Sequence, residues 1–397
     1  MVSRHARFFL GINALTGLIG MLDLSIVTAF LLAIPVNYAQ LAIIYGLMLG
    51  VSVLLEYPSG NLADRLGRKM THALGVMLIS MQFLGFAAFQ AIHLLYLAAI
   101  LGGAGSAMTS ASLEAWLITE EKSRHPQATM HRVFGLRRSA TSMVSAAGSL
   151  MIGLLLQVEL ATLYWAMGIV MLGTAIFTMF YLPDNHGEGN RISDYTFTAV
   201  RIFFRSPAMI FLGLVLSAAF ACFSALIMYW QPRAVDYGVL RHQLPAIWAI
   251  YLLGAGIMGW LYAKLGHEVG AGVFLLSAFT LIGVSFGLMT FGSGVVVLAA
   301  ALFCFGLGFG PIGAVFFAWA ADIVPADLCA SILSLMFAVA SLTAALATLG
   351  IGLVMQVWGP STAPVTGLVI SLVIVGGLGL KRKKIAHWER VHDTPVA

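Results

Sequence analysis

Between Phe8 and Leu380 the chain falls into twelve long apolar runs separated by short charged or turn-forming clusters. The runs cover 8–33, 39–62, 71–91, 94–119, 133–157, 162–182, 207–232, 245–263, 270–290, 295–319, 329–356 and 362–380. A helix needs about 20 mostly apolar residues to cross the hydrocarbon core of a bilayer, where every backbone N–H and C=O must be paired within the protein. The runs are continuous and lack the alternation of barrel strands. They predict an all-α membrane protein with twelve transmembrane helices. Composition agrees, because 60% hydrophobic and 9% charged residues leave too little polar surface to coat a soluble globule of 397 residues.

Arg4 and Arg7 precede the first run, but its length of about 26 residues exceeds the 7–15 of a secretory core, so it reads as a retained span. Lys and Arg gather in cytoplasmic loops. Of the 21 in this chain, Arg233 and Arg241 alone fall on the side opposite the termini. The expected topology is multi-pass in a cell (inner or plasma) membrane, with both termini cytoplasmic. This asymmetry accounts for the formal net charge of +5, and nothing independent points to nucleic acid. Cys222, Cys304 and Cys329 all lie inside predicted spans, which argues for packing rather than a disulfide framework or a metal site.

Two internal echoes divide the chain. "GWLYAKLGHE" at 259–268 repeats Gly60, Leu62, Arg65, Leu66 and Gly67 as Gly259, Leu261, Lys264, Leu265 and Gly266, an offset of 199. "LEAWLITE" at 113–120 and "FFAWAADI" at 316–323 superpose Ala115-Trp116 on Ala318-Trp319, an offset of 203. These offsets predict two pseudo-symmetric six-helix bundles, 1–182 and 207–380. The linker 183–206 reads as polar and then amphipathic, with Arg201 and Arg205 at the interface, and 381–397 as a basic cytoplasmic tail.

"EYPSGNLADRLGRK" at 56–69 concentrates Glu56, Asp64, Arg65, Arg68 and Lys69 at the turn between the second and third spans. Gly60 and Gly67 permit close approach or a sharp turn, and Asp64 is an anion suited to face a helix N-terminus. "GNLADRLGRK" resembles the loop motif Gly-x-Leu-Ala-Asp-Arg-x-Gly-Arg-Lys of the major facilitator superfamily, matching at Gly60, Leu62, Ala63, Asp64, Arg65, Gly67, Arg68 and Lys69. The resemblance implies a secondary transporter whose halves rock about a central site and open it to each side in turn. It also implies that Asp64 meets the start of the eleventh span near Ala326–Ser331. Arg65, Arg68 and Lys69 would then latch the cytoplasmic side with Glu120, Glu121 and Asp322, unless these cations serve topology alone. The C-terminal echo carries Ala263 in place of the Asp, so a latch is expected on one side only.

Ionisable residues within spans are costly and mark function by default. Asp23 lies past the middle of the first span, on one helical stripe with Asn13, Thr16 and Gly20. Two readings stand for it: proton carrier or counter-ion to a cationic substrate, or a structural carboxyl bonded to a neighbouring helix. Glu114 shares a face with Ser106 and Ser110 near the end of the fourth span; a structural ion pair with Arg137 or Arg138 is one reading of it, and proton coupling or substrate binding is the other. Arg138 heads a stripe with Ser142, Ser145 and Ser149. In the seventh span Ser217, Ser224 and Gln231 recur every seven residues and end in "YWQP" at 229–232. The resemblance places the first, fourth, seventh and tenth spans around the site, which makes Ser217, Ser224, Tyr229 and Gln231 cavity-lining candidates, with an interfacial aromatic belt as the other reading of Tyr229.

No P-loop appears, and none of the ten His falls mid-span, so neither an ATP-driven pump nor an enzyme is indicated, and no cofactor is expected. The signatures of the drug-exporting branches are missing: Ala99 stands where they carry Arg, and "AGSLMIGLLL" of the fifth span has no Pro, while "GFGPIG" at 308–313 belongs to the tenth. The expected function is proton-coupled efflux of a small amphipathic compound or drug through Asp23 by a monomer. The alternative is a uniporter or importer of a polar metabolite or organic anion, with Arg137 and Arg138 as binding candidates.

Overall fold

The computed structural model describes residues 4–124, 130–181, 200–201, 203–323 and 329–381. Side chains at 4–11, 13–14, 57–58, 60–66, 68, 110–124, 130–137, 181, 267, 317–318, 320–323 and 329–334 lie outside that description. In chain order the helices are α1 (Arg4–Leu31), α2 (Tyr38–Leu66), α3 (Arg68–Ala88), α4 (Ile92–Arg124), α5 (Met130–Leu155) and α6 (Leu160–Tyr181), then α7 (Pro207–Asp236), α8 (Leu244–Val269) and α9 (Ala271–Phe291). α10 (Val295–Phe309), α11 (Ile312–Ile323), α12 (Cys329–Trp358) and α13 (Thr362–Leu380) complete them. Ten helical stretches among the described residues are long and apolar enough to cross a membrane, and Leu15–Leu31 of α1 is a shorter apolar one. Large apolar side chains such as Phe180, Leu214, Phe291, Val296 and Leu353 stand exposed around the outside, as a surface solvated by lipid requires.

The two halves repeat with a constant step. Leu66 and Val269 end α2 and α8, Arg68 and Ala271 start α3 and α9, Ala88 and Phe291 end them, and Ile92 and Val295 start α4 and α10; each pair is 203 residues apart. The packing repeats with the same step. A Cβ on Gly103 would strike the carbonyl oxygen of Met48, and one on Gly306 that of Tyr251; Gly105 likewise meets the Gly75 carbonyl, and Gly308 that of Ala278. The fourth run of each half therefore seats its glycines on the backbones of the second and third, the small-residue contact on which helix packing in lipid depends.

The step of 203 corrects the first of the two echoes. Gly67 (φ +89°, ψ 147°) and Gly270 (φ +82°, ψ 152°) hold the same α2–α3 and α8–α9 turns, so the counterpart of Gly67 is Gly270 rather than Gly266. Asp64 then corresponds to His267, not Ala263. An error of four residues is about one helical turn, and the slip keeps the same face and so the same look.

The predicted tenth span is not one helix. Pro311, with no N–H and a ring that clashes in a helix interior, separates α10 from α11. Its counterpart in the unbroken α4 is Met108. Across the molecule α5 packs along α8 and α2 along α12. α1 crosses α7 between them.

Candidate functional site

The crossing of α1 and α7 is reciprocal. Thr28 Oγ1 donates to the Ile227 carbonyl at 2.9 Å, and Gln231 Nε2 donates to the Leu24 carbonyl at 2.9 Å. Thr28 and Gln231 are 203 residues apart, as are Leu24 and Ile227, so each bond is the symmetry mate of the other. Gln231, fully buried, also accepts from the Ala29 N–H at 2.9 Å. Thr28 has given its proton to Ile227, so the Tyr45 hydroxyl, 2.8 Å away, donates to it. These bonds tie the halves together at the end of the bundle opposite the termini.

Further along the same face of α7, at helical spacing from Ile227 and Gln231, Phe223 and Phe220 are half-buried rather than covered by α1. Phe223 stacks on Phe309 with ring centroids 4.8 Å apart and lies 6.4 Å from Tyr251, which stacks on Trp248 at 4.2 Å. Trp248 stacks in turn on Trp230 at 5.2 Å. In the first half, a Cβ on Gly20 would meet nothing within 4 Å, and one on Gly17 only Thr141 at 3.8 Å. Arg138 of α5 reaches across, its Nη2 3.4 Å from the Tyr251 hydroxyl. Its Nε has no acceptor, nor have the indole N–H groups of Trp230 and Trp248.

Asp23 is the one buried acid among the described residues. It accepts a hydrogen bond from the Tyr164 hydroxyl of α6 at 2.7 Å. The Tyr164 ring sits among Phe30, Phe83 and Phe86 at 4.5, 5.9 and 5.9 Å. The carboxyl thus points into the packing of the first six helices. A step of 203 from Asp23 and Tyr164 arrives at Leu226 and Gly367, so the second half has no such pair.

The Major Facilitator Superfamily pattern matches residues 9–348. The chain belongs to this superfamily. Two crystal structures of the nucleoside transporter NupG are similar in fold. A mutant form aligns at TM-score 0.74 and 14% identity over 94% of this chain and 98% of its own. The other aligns at 0.71 and 12% over 94% and 97%. No curated protein matches by sequence. The chain is therefore a multi-pass membrane transporter of a small molecule rather than an enzyme.

Within this superfamily member the sequence candidates separate. Gln231 joins the halves, and Arg138 meets Tyr251 across them. Ser224 instead donates to the Phe220 and Ala344 carbonyls at 3.1 and 3.4 Å, Tyr229 donates to the Met289 carbonyl at 3.2 Å, and Ser217 is buried, so these three sit in packing of the second half. Thr16 donates to the Ile12 carbonyl one turn back at 3.0 Å. Gly67 holds the α2–α3 turn, and Lys69 lies half-buried beside it. The side chains of Asn13, Asp64, Arg65, Arg68, Glu114 and Arg137, and the surroundings of Gly60, lie outside the described residues. Sequence reasoning missed Tyr164, Phe223, Trp248 and Tyr251, which look like ordinary span or belt aromatics. Aligning the halves at 203 would have singled out Phe220 and Phe223, because glycines stand at their mates.

Proposed function

We propose that this transporter is proton-coupled and moves a small amphipathic compound outward across a cell membrane, as a monomer with both termini cytoplasmic. The observation that carries the coupling is the Asp23–Tyr164 pair: a buried carboxyl, bonded at 2.7 Å to a fully buried phenol, on a helix that also forms the crossing between the halves. Rocking of the halves moves α7 against α1 beside Asp23, where Gln231 holds the Leu24 carbonyl, and a change of burial is what makes a carboxyl take up or give up a proton. The moving units are 1–182 and 207–380, joined by 183–206, with 381–397 as a basic tail on the cytoplasmic face.

The test uses reconstituted vesicles and an imposed pH gradient. Asp23→Asn should abolish gradient-driven movement while leaving downhill exchange of substrate. An Asn variant that still moves substrate uphill at the normal rate under a pH gradient would place the coupling proton elsewhere. A second reading, uptake or uniport of a polar metabolite or organic anion, is favoured by Arg138, a cation facing the aromatic wall of the other half. The likeness to NupG at 14% identity carries fold alone, so nucleosides enter the assay as one substrate class among several. Movement of substrate independent of the pH gradient in the wild type would favour this second reading.

A further inference from the structure

The two faces of the central space are mates by symmetry and opposites in chemistry. A step of 203 takes Gly17 to Phe220, Gly20 to Phe223 and Ser106 to Phe309. Both members of a pair face the axis between the halves when one does, so the bulk of each Phe is matched by a glycine or a serine in the other half. Gly20 has open space where a Cβ would be, Ser106 is exposed, and Phe220, Phe223 and Phe309 are half-buried. The outcome is a slot with an aromatic wall on one side only.

At the edge of this slot stands a charge with no counter-ion among the described residues. No carboxylate pairs with Arg138 among the described residues, and it meets instead the neutral Tyr251 hydroxyl at 3.4 Å, a long bond. Asp23 is engaged by Tyr164 inside the first half. A guanidinium half out of water, with its Nε unsatisfied, is in place for an acceptor that the described residues do not supply. Tyr251 ties that cation to the wall, because its own ring stacks on Trp248 and lies 6.4 Å from Phe223.

We infer that the substrate is a flat organic anion: its ring lies against Phe223 and Phe309 in the room left by Gly17 and Gly20, and its carboxylate or equivalent acceptor pairs with Arg138. Electron-poor or extended rings gain from offset stacking on the wall, and Arg offers a forked set of donors that suits a carboxylate. This rests on the reading that the space between the halves is the substrate site, and it is independent of proton coupling.

The experiment is calorimetric titration of the purified full chain with three probes that share one ring system: naphthoate, naphthylmethanol and naphthylmethylammonium. Naphthoate should bind the wild type at least about tenfold more tightly than the ammonium probe. Arg138→Gln should weaken naphthoate by about tenfold and leave naphthylmethanol unchanged, whereas Phe223→Ala should weaken all three. Failure of naphthoate to bind, equal or tighter binding of the ammonium probe, or an Arg138→Gln affinity equal to wild type would each overturn the inference. The head-group comparison needs no variant, so it decides the matter even if Arg138→Gln does not fold. Charge-selective binding in a chain that shows no proton coupling would retire the coupling reading and leave this one standing.

Discussion

The first half and the second share a frame and divide the chemistry. Helix ends, the positive-φ turns at Gly67 and Gly270, and the glycine seats of α4 and α10 recur at 203 residues. Asp23, Tyr164 and Arg138 correspond instead to Leu226, Gly367 and Ser341, while Phe220 and Phe223 correspond to glycines. What repeats is backbone contact, which a rocking motion needs on both sides of the axis. What differs is the side-chain content of the central face, where one half offers charge and room and the other offers rings.

The widest break in the comparison would come from the glycine seats. Gly306→Val and Gly103→Val each drive a branched side chain into a neighbouring carbonyl. A backbone cannot rotate away as a side chain can, so each should cost the upper end of the about 1–3 kcal/mol typical of overpacking, or more. Both should lower the yield of monodisperse protein and its melting temperature to a similar degree. A large loss in one half with none in the other would mean that the shared frame is not shared in energy.

The frame was legible in the sequence because lipid leaves few options: twelve apolar runs of the right length admit one kind of fold, and the basic residues and loop motif order them. The site was less so. Asp23 was visible as an acid in an apolar run, but its partner Tyr164 lies 141 residues away and looks like any aromatic near a span end. The stripe rule placed Asp23 with Thr16 and Gly20, yet a helix between two neighbours has two polar-tolerant sides, and periodicity does not say which neighbour receives the carboxyl. Ser224 and Tyr229 illustrate the same limit, since their hydroxyls bond carbonyls inside the half. Pro311 was in plain view, and an apolar run that continues through it disguised the break.

A smaller effect is expected at the α1–α7 crossing, and it sharpens the comparison because the two bonding residues are mates. Gln231 makes two bonds to α1, and Thr28 one to α7. At about 1 kcal/mol net per bond, Gln231→Leu should shift the balance away from the closed arrangement by about thirtyfold and Thr28→Val by about fivefold. Labelling reads this directly. In a background without Cys222, Cys304 and Cys329, a cysteine at Gly20 should react with an impermeant thiol reagent added outside intact cells faster in the Gln231→Leu variant than in Thr28→Val, and slowest with both residues native. Equal rates in all three would show that the reciprocal bonds do not hold this end shut.

The register itself is tested at the turns and at a position expected to change little. Gly67 and Gly270 occupy φ +89° and +82° with ψ near 150°, a region that is essentially glycine's own. A Cβ there is strained whatever space surrounds it, so Gly67→Ala and Gly270→Ala should each cost about 1–3 kcal/mol. Gly266, the partner suggested by the sequence echo, lies within α8, where the atoms nearest to a Cβ belong to the ring of Tyr262, at 2.9 Å. That ring can shift, and alanine favours a helix over glycine by about 1 kcal/mol, so Gly266→Ala should be near neutral. Thermal melts of the three purified variants decide between the alignments. Equal losses at 67 and 270 with none at 266 support the step of 203, whereas a loss at 266 matching that at 67, with 270 unaffected, would restore the step of 199 and with it Ala263 as the counterpart of Asp64.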